Sequence, residues 1–196
     1  MTDTPPGHPA DDDVPAVSWL LGRLVIALAV LGVGAWFAST VLEGPIERVS
    51  AAFVNEFGLI GVGLGVLTLD AIPGTFHEPL LILAYDGGIR FWTLVFVAGT
   101  ASWGSGVIGW TCGRLLRRAP FLVRALERYR IGPFMRRYGG RAIALAALTP
   151  FPYAITTWGA GATDVPLSTL MLGALVRYVK VALYLGILVY GWTLGQ

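Results

Sequence analysis

Between Leu69 and Gly88 the chain sets Asp70, His77, Glu78 and Asp86 into an otherwise apolar run that also holds Pro73, Gly74 and Pro79. Acids beside an imidazole suit proton exchange. An imidazole titrates in the physiological range, and an apolar setting disfavours the charged form of a carboxyl such as that of Glu78. The competing role for Glu78 is structural, its carboxylate capping the backbone N–H groups at the start of the next helix. Asp70 reads either as a second proton site or as the ion-pair partner of Arg114 or Arg177. Arg177 and Lys180 lie inside the last long apolar run, too deep for easy escape to water, and are the natural groups to neutralise an anion. Arg114 either holds a phosphate or simply opens the basic stretch that follows it. Asp86 and Arg90 flank Gly87–Gly88 and read as a turn.

Other chemistry finds less support. Ser105 in Gly104–Ser105–Gly106 with His77 as base would make a hydrolytic dyad, but Trp103 stands where such serine enzymes place a glycine. Tyr85–Asp86 has no second aspartyl motif. Cys112 is the only cysteine and His77 the only histidine outside the N-terminal stretch, so neither a metal site, a cofactor nor an internal disulfide is expected.

The elements that position these groups follow from composition. Charged residues form 13% of the 196-residue chain and hydrophobic ones 55%, whereas a soluble domain carries roughly 25% charged residues to face water. The chain therefore reads as an all-α, polytopic integral membrane protein. At bilayer depth an ionisable side chain costs about 2.5–3.5 kcal/mol even on lenient insertion scales, which makes the polar run between Leu69 and Gly88 a functional candidate.

Residues 1–16, rich in Pro, Asp and Gly, read as a disordered tail, with His8 inert. Residues 17–196 read as one membrane domain. Residues 17–40 are long enough to span as a helix, and Glu43–Glu56 has the one-sided apolar pattern of an interfacial helix. Phe57–Leu69 is only about 20 Å long as a helix, and Pro73–Gly74 breaks it from the short run Leu80–Ala84. A re-entrant hairpin followed by a spanning helix is thus expected over 57–113. In Phe91–Cys112 the small residues Ala101, Ser105, Gly109 and Gly113 form a stripe that lets another helix approach closely, with Ser102 and Gly106 widening it.

Residues 114–141 hold nine arginines against the single acid Glu127, split at Gly132–Pro133. Nucleic acid could attract such a patch, but beside membrane helices the positive-inside rule makes it a cytoplasmic loop lying on anionic headgroups. Residues 142–193 repeat the earlier layout: an apolar run broken at Pro150 and Pro152, then a long helix over Val165–Trp192. With the basic loop cytoplasmic, the first hairpin opens outside and the second inside. This is the layout of an inverted repeat, whose interrupted segments meet near the midplane and build a transport site.

Several motifs also resemble one family. Pro73–Gly74 with Glu78–Pro79–Leu80–Leu81–Ile82–Leu83–Ala84, Gly106-x-x-Gly109–Trp110-x-x-Gly113–Arg114, and Thr149–Pro150–Phe151–Pro152 with Ala160–Gly161 and Val165–Pro166–Leu167 are similar to motifs of the DedA family, also called the VTT or SNARE-associated Golgi protein family. The resemblance covers Phe57 to Trp192 and marks a divergent branch. Typical members carry arginines around the second-hairpin proline, where this chain has Ala147 and Tyr153 or Ala154. It implies a translocase or scramblase of the bacterial inner membrane, moving an anionic lipid such as undecaprenyl phosphate or a phospholipid, often coupled to protons. A non-transporting assembly protein is the alternative, and an intramembrane hydrolase a distant third. The candidate substrate- and proton-binding set is then Asp70, His77, Glu78, Arg114, Pro150, Pro152, Arg177 and Lys180. Membrane lipids are the expected partners, a homo-oligomer is a further one, and nucleic acid is not expected.

Overall fold

A computed structural model describes residues 17–72, 77–138, 140–149 and 153–194, with backbone alone at residues 17, 35, 38–47, 136 and 137. Every regular element among them is helical: α1 Val17–Ala71, α2 Glu78–Asp86, α3 Phe91–Leu115, α4 Pro120–Arg128, α5 Ile131–Tyr138, α6 Arg141–Leu148, α7 Tyr153–Ala162, α8 Leu167–Ala174 and α9 Val176–Thr193. Three stretches are long and apolar enough to cross a membrane: Arg48–Ala71, Phe91–Leu115 and Leu167–Thr193. At 1.5 Å per residue they measure about 36–40 Å, against a hydrocarbon core of about 30 Å. Ser18–Gly34 is a shorter apolar helix. The protein is a helical membrane protein.

The first half departs from expectation in one respect. Helical backbone runs from Val17 to Ala71 with no break between the expected spanning helix over 17–40 and the expected interfacial helix Glu43–Glu56, and is interrupted at Gly58 (φ 52°, ψ −149°). Only glycine adopts such a φ without a Cβ penalty. The interruption falls beside the expected start of the short limb, so unbroken helix before Pro73 runs from Leu59 to Ala71, about 20 Å, within the longer apolar stretch Arg48–Ala71. The limbs α2, α6 and α7 are 9, 8 and 10 residues long, about 12–15 Å, and too short to cross alone. Residues 73–76 and 150–152, where both proline breaks fall, lie outside the described residues.

The basic stretch also divides elsewhere than at Gly132–Pro133. The break falls at Tyr129–Arg130, where Arg130 takes φ 51°. Pro133 sits in the first turn of α5, where no intrahelical N–H is required of it. The expected final helix is divided at Leu175, where the ladder tightens: Leu175 N–H donates to Leu172 and Tyr178 N–H to Leu175.

One core unites the interrupted segments with the spanning helices. Val62 and Val66 of α1, Leu81 and Ala84 of α2, Leu94 and Ala98 of α3, and Val181 and Leu185 of α9 are buried together. Leu20, near the start of α1, is buried by Phe134 of α5 and by Ala142 and Ala146 of α6. That contact brings the start of α1 to the end of the bundle carrying the basic helices. α3 and α7 touch backbone to backbone: a Cβ on Gly113 would overlap the carbonyl of Trp158, and one on Gly161 the carbonyl of Trp110. The small-residue stripe on α3 is therefore a packing surface, and its partner is α7.

Candidate functional site

The largest fully buried side chain among the described residues is that of Arg177, in the first turn of α9 and only 1% exposed. A buried guanidinium is tolerable only when its charge and its N–H groups are matched. Here Nη2 donates to Asp70 Oδ2, Nε to Ser102 Oγ at 2.6 Å, and Nη1 to the carbonyl of Ala147 at 3.4 Å. Its face lies over the Tyr153 ring, 4.4 Å from the centroid, an attractive cation–π arrangement. Asp70 is as fully engaged. Oδ2 also accepts from the Ser102 hydroxyl, and Oδ1 meets His77 Nδ1 at 2.8 Å. Ser102 thus donates to the acid and accepts from the base, which closes a three-membered polar ring.

Chain topology explains why these groups meet. Asp70 lies in the last turn of α1 and His77 immediately precedes α2, so they flank the first interruption. Ala147 lies in the last turn of α6 and Tyr153 opens α7, so they flank the second. Both pairs converge on Arg177. The guanidinium sits against the C-terminal carbonyl ends of α1 and α6, where helix dipoles favour a cation. Trp158 of α7 adds a second tie between the segments, its Nε1 donating to the carbonyl of Ala71 at 3.2 Å. Trp158→Phe, which removes this donor and keeps an aromatic ring, is expected to cost about 0.5–1.5 kcal/mol in thermal unfolding.

Beside this ring lies a second group of charges. Glu78 is 8% exposed, and its Oε2 is buried with no hydrogen-bond partner among the described residues. His77, the residue at the cap position of α2, supplies no side-chain cap either. Lys180 lies one helical turn beyond Arg177, within electrostatic reach of Glu78, Asp70 and Arg177, its Nζ 4.8 Å from the Tyr184 ring centroid. The Tyr184 hydroxyl is also buried and unpartnered among the described residues. The arrangement holds two cations, two acids and an imidazole in one buried region. Groups of these types can hold a proton or an anion.

The candidates named from sequence thus fall into three groups. Asp70, His77 and Arg177 come together directly, with Glu78 and Lys180 next to them. Arg114 lies elsewhere. It is exposed toward the far end of α3, 3.9 Å from Asp164 and 5.0 Å from the Trp110 ring, about 18 Å along the helix from Ser102. Of the two partners open to Asp70, the structure selects Arg177. Pro150 and Pro152 lie outside the described residues. Ser105 donates to the Ser102 carbonyl at 2.7 Å, a bond internal to α3, while the Nδ1 of His77 is taken by Asp70.

Ser102, Tyr153 and Trp158 were not legible as site residues. Ser102 reads as one more small residue in a packing stripe, and an isolated serine carries no signal of a hydrogen bond from an arginine 75 residues along the chain. Comparisons of this chain with protein-family models, with curated proteins and with solved structures found no match.

Proposed function

We propose that the protein moves an anionic lipid headgroup across the membrane, coupled to a proton. The observation that carries this reading is the convergence of both interrupted segments on one buried, charge-balanced cluster. Discontinuous helices that meet inside a membrane characteristically build a transport site, and irregular backbone at that depth is tolerated only against protein or a cavity. On this reading the interruptions are two oppositely directed re-entrant hairpins of an inverted repeat, the membrane is the bacterial inner membrane, and the basic helices face the cytoplasm.

The mechanism follows from charge. Arg177 and Lys180 balance Asp70 and Glu78, so a phosphate entering as an anion leaves one charge uncompensated in a medium that penalises it. Taking up one proton restores neutrality. A proton taken up at His77 Nε2 and passed on from Nδ1 to Asp70 Oδ1 leaves the imidazole neutral, removes the counter-ion of Arg177 and frees its fork for the phosphate, a pairing guanidinium makes bidentately. Re-ionisation of Asp70 then ejects the headgroup. The places where the resembled family carries arginines hold Ala147 and Tyr153 or Ala154 here, and Arg177 lies against Ala147 and Tyr153. The missing cations are thus supplied from α9. Undecaprenyl phosphate and phospholipids both meet the requirement of a phosphate on an apolar tail.

The test is lipid flip in proteoliposomes, read as headgroup accessibility, with and without a pH gradient. Wild type is expected to exceed empty vesicles and to respond to the gradient. His77→Gln, which removes the imidazole that relays the proton, and Glu78→Gln, which keeps shape and removes the unpartnered acid of the cluster, are expected to lose the gradient response while eluting and melting as folded proteins. Absence of flip above background for several anionic lipids would instead favour an assembly protein, in which the satisfied Arg177 is a permanent structural pair.

A further inference from the structure

The surface beyond α3 bears an arrangement that the buried cluster does not use. α3 ends at Leu115, at the limit of a membrane-length helix, and α4 begins only five residues later. Across this corner Leu115, Leu116, Phe121 and Val123 are exposed, with Leu115 at 78%. Arg117, Arg118, Arg124 and Arg128 are exposed among them, while Glu127 is the one acid of α4. Arg117 reaches Asp164 at 3.5 Å across an exposed gap, and Arg124 Nε bonds only a carbonyl of its own helix, that of Pro120. Apolar side chains that protrude between arginines at the mouth of a spanning helix match a leaflet surface, with apolar groups entering the acyl boundary and cations meeting phosphates.

The same helix is also tied to the protein, through the half-exposed Phe121 and the inward Leu126. Phe121 meets Trp158 edge to face, with centroids 6.3 Å apart. Leu126 of α4 and Ile131 of α5 close over Gly159, where a Cβ would strike both. Trp158 in turn holds the Ala71 carbonyl, one residue from Asp70. A single aromatic side chain therefore spans from the exposed basic helix to the end of α1.

We propose that α4 with the preceding Leu115–Leu116 corner is a docking surface for anionic phospholipid headgroups, and that its seating is relayed through Phe121 and Trp158 to the end of α1. The surface attracts phosphates by charge and is anchored by its exposed apolar side chains. Trp158 couples its position to the carbonyl next to the acid of the buried cluster. The docking does not depend on lipid transport, so it stands or falls separately from the flip assay.

Hydrogen exchange of the full chain in nanodiscs tests it, comparing phosphatidylcholine alone with phosphatidylcholine containing phosphatidylglycerol. Amides of residues 120–128 are expected to gain protection with phosphatidylglycerol and to lose it as salt screens the charges. Arg124→Gln and Arg128→Gln are each expected to remove about fivefold of that gain, the weight of one basic side chain at an anionic surface. Amides of residues 94–105 in α3 serve as the folding control. The relay predicts that residues 69–72 follow α4 in wild type and cease to follow it in Phe121→Ser. Equal protection of α4 in both discs overturns the docking surface, as does protection induced by added RNA or an acidic polypeptide but not by phosphatidylglycerol. Protection of α4 with no response at residues 69–72 overturns the relay.

Discussion

Arg177→Ala is expected to lose about 3–5 kcal/mol of stability, because breaking a buried ion pair from one side strands the other charge. Asp70 would remain in the bundle, 10% exposed, with only Ser102 and His77 beside it. The loss compounds itself, since the Ala147 carbonyl and the Tyr153 face also lose their partner. Asp70→Ala is expected to be as damaging for the converse reason, leaving a guanidinium 1% exposed without its counter-ion. The decisive variant is the double substitution Asp70→Asn with Arg177→Met. Both desolvation penalties then disappear, and exchange of a buried pair for uncharged groups is often neutral or stabilising. Thermal unfolding in detergent of the two single variants and the double gives the coupling directly. Strong non-additivity in favour of the double is expected of residues in one network. Additive losses, or an unchanged midpoint for Arg177→Ala, would show that the pair does not form. The same double variant separates structure from transport: folded, it should be inactive in the flip assay.

Gly113→Val and Gly161→Val are expected to be comparably severe through packing alone. Overfilling a core with side chains costs about 1–3 kcal/mol, because neighbours can shift rotamer. Here the obstacle is backbone, the carbonyl of Trp158 against Gly113 and the carbonyl of Trp110 against Gly161. A carbonyl within a helix cannot move aside without breaking its ladder. The two contacts are reciprocal across one crossing of α3 and α7, so either substitution pushes the same two helices apart. Losses at or above the upper end of that range are expected, together with loss of the Trp158–Ala71 hydrogen bond as α7 withdraws. Gly22→Ala provides the contrast. A Cβ there meets nothing within 4 Å, and replacing a helical glycine by alanine gains up to about 1 kcal/mol of helix propensity. A thermal midpoint for Gly161→Val equal to that of wild type would mean that α3 and α7 are not in backbone contact.

Much of the architecture was legible in the chain. The shortage of charge announces a membrane protein, because a surface facing lipid needs no ions. The stripe Ser105–Gly109–Gly113 announces a close helix crossing, because nothing larger permits one. Turn residues were readable where they act locally, as at Gly87–Gly88, where Gly88 takes φ 95°. Local signals were less decisive for the break in α1. Separate helices over 17–40 and Glu43–Glu56 were expected, yet helical backbone continues between them and the non-helical residue is Gly58, beside the expected start of the next limb. Likewise Gly132–Pro133 looks like the natural split in the basic stretch, yet proline is at home in a first turn and the break moved to Arg130.

What the sequence by itself determined is the class of the protein and, Arg114 apart, which ionisable groups to look for inside it, since burial of apolar surface and the expense of charge in lipid depend on residue type alone. It left open which groups are partners. Asp70 had two eligible arginines, and both lie far away along the chain; the convergence of the ends of α1 and α6 chose Arg177, 107 residues on, and left Arg114 to Asp164 at an exposed corner. Ser102 and Tyr153 joined the cluster by the same convergence. Trp158 became the link between the two interrupted segments because α7 lies against α3 on glycine. Partnership of this kind is a property of where helices cross, and only the tertiary structure decides it.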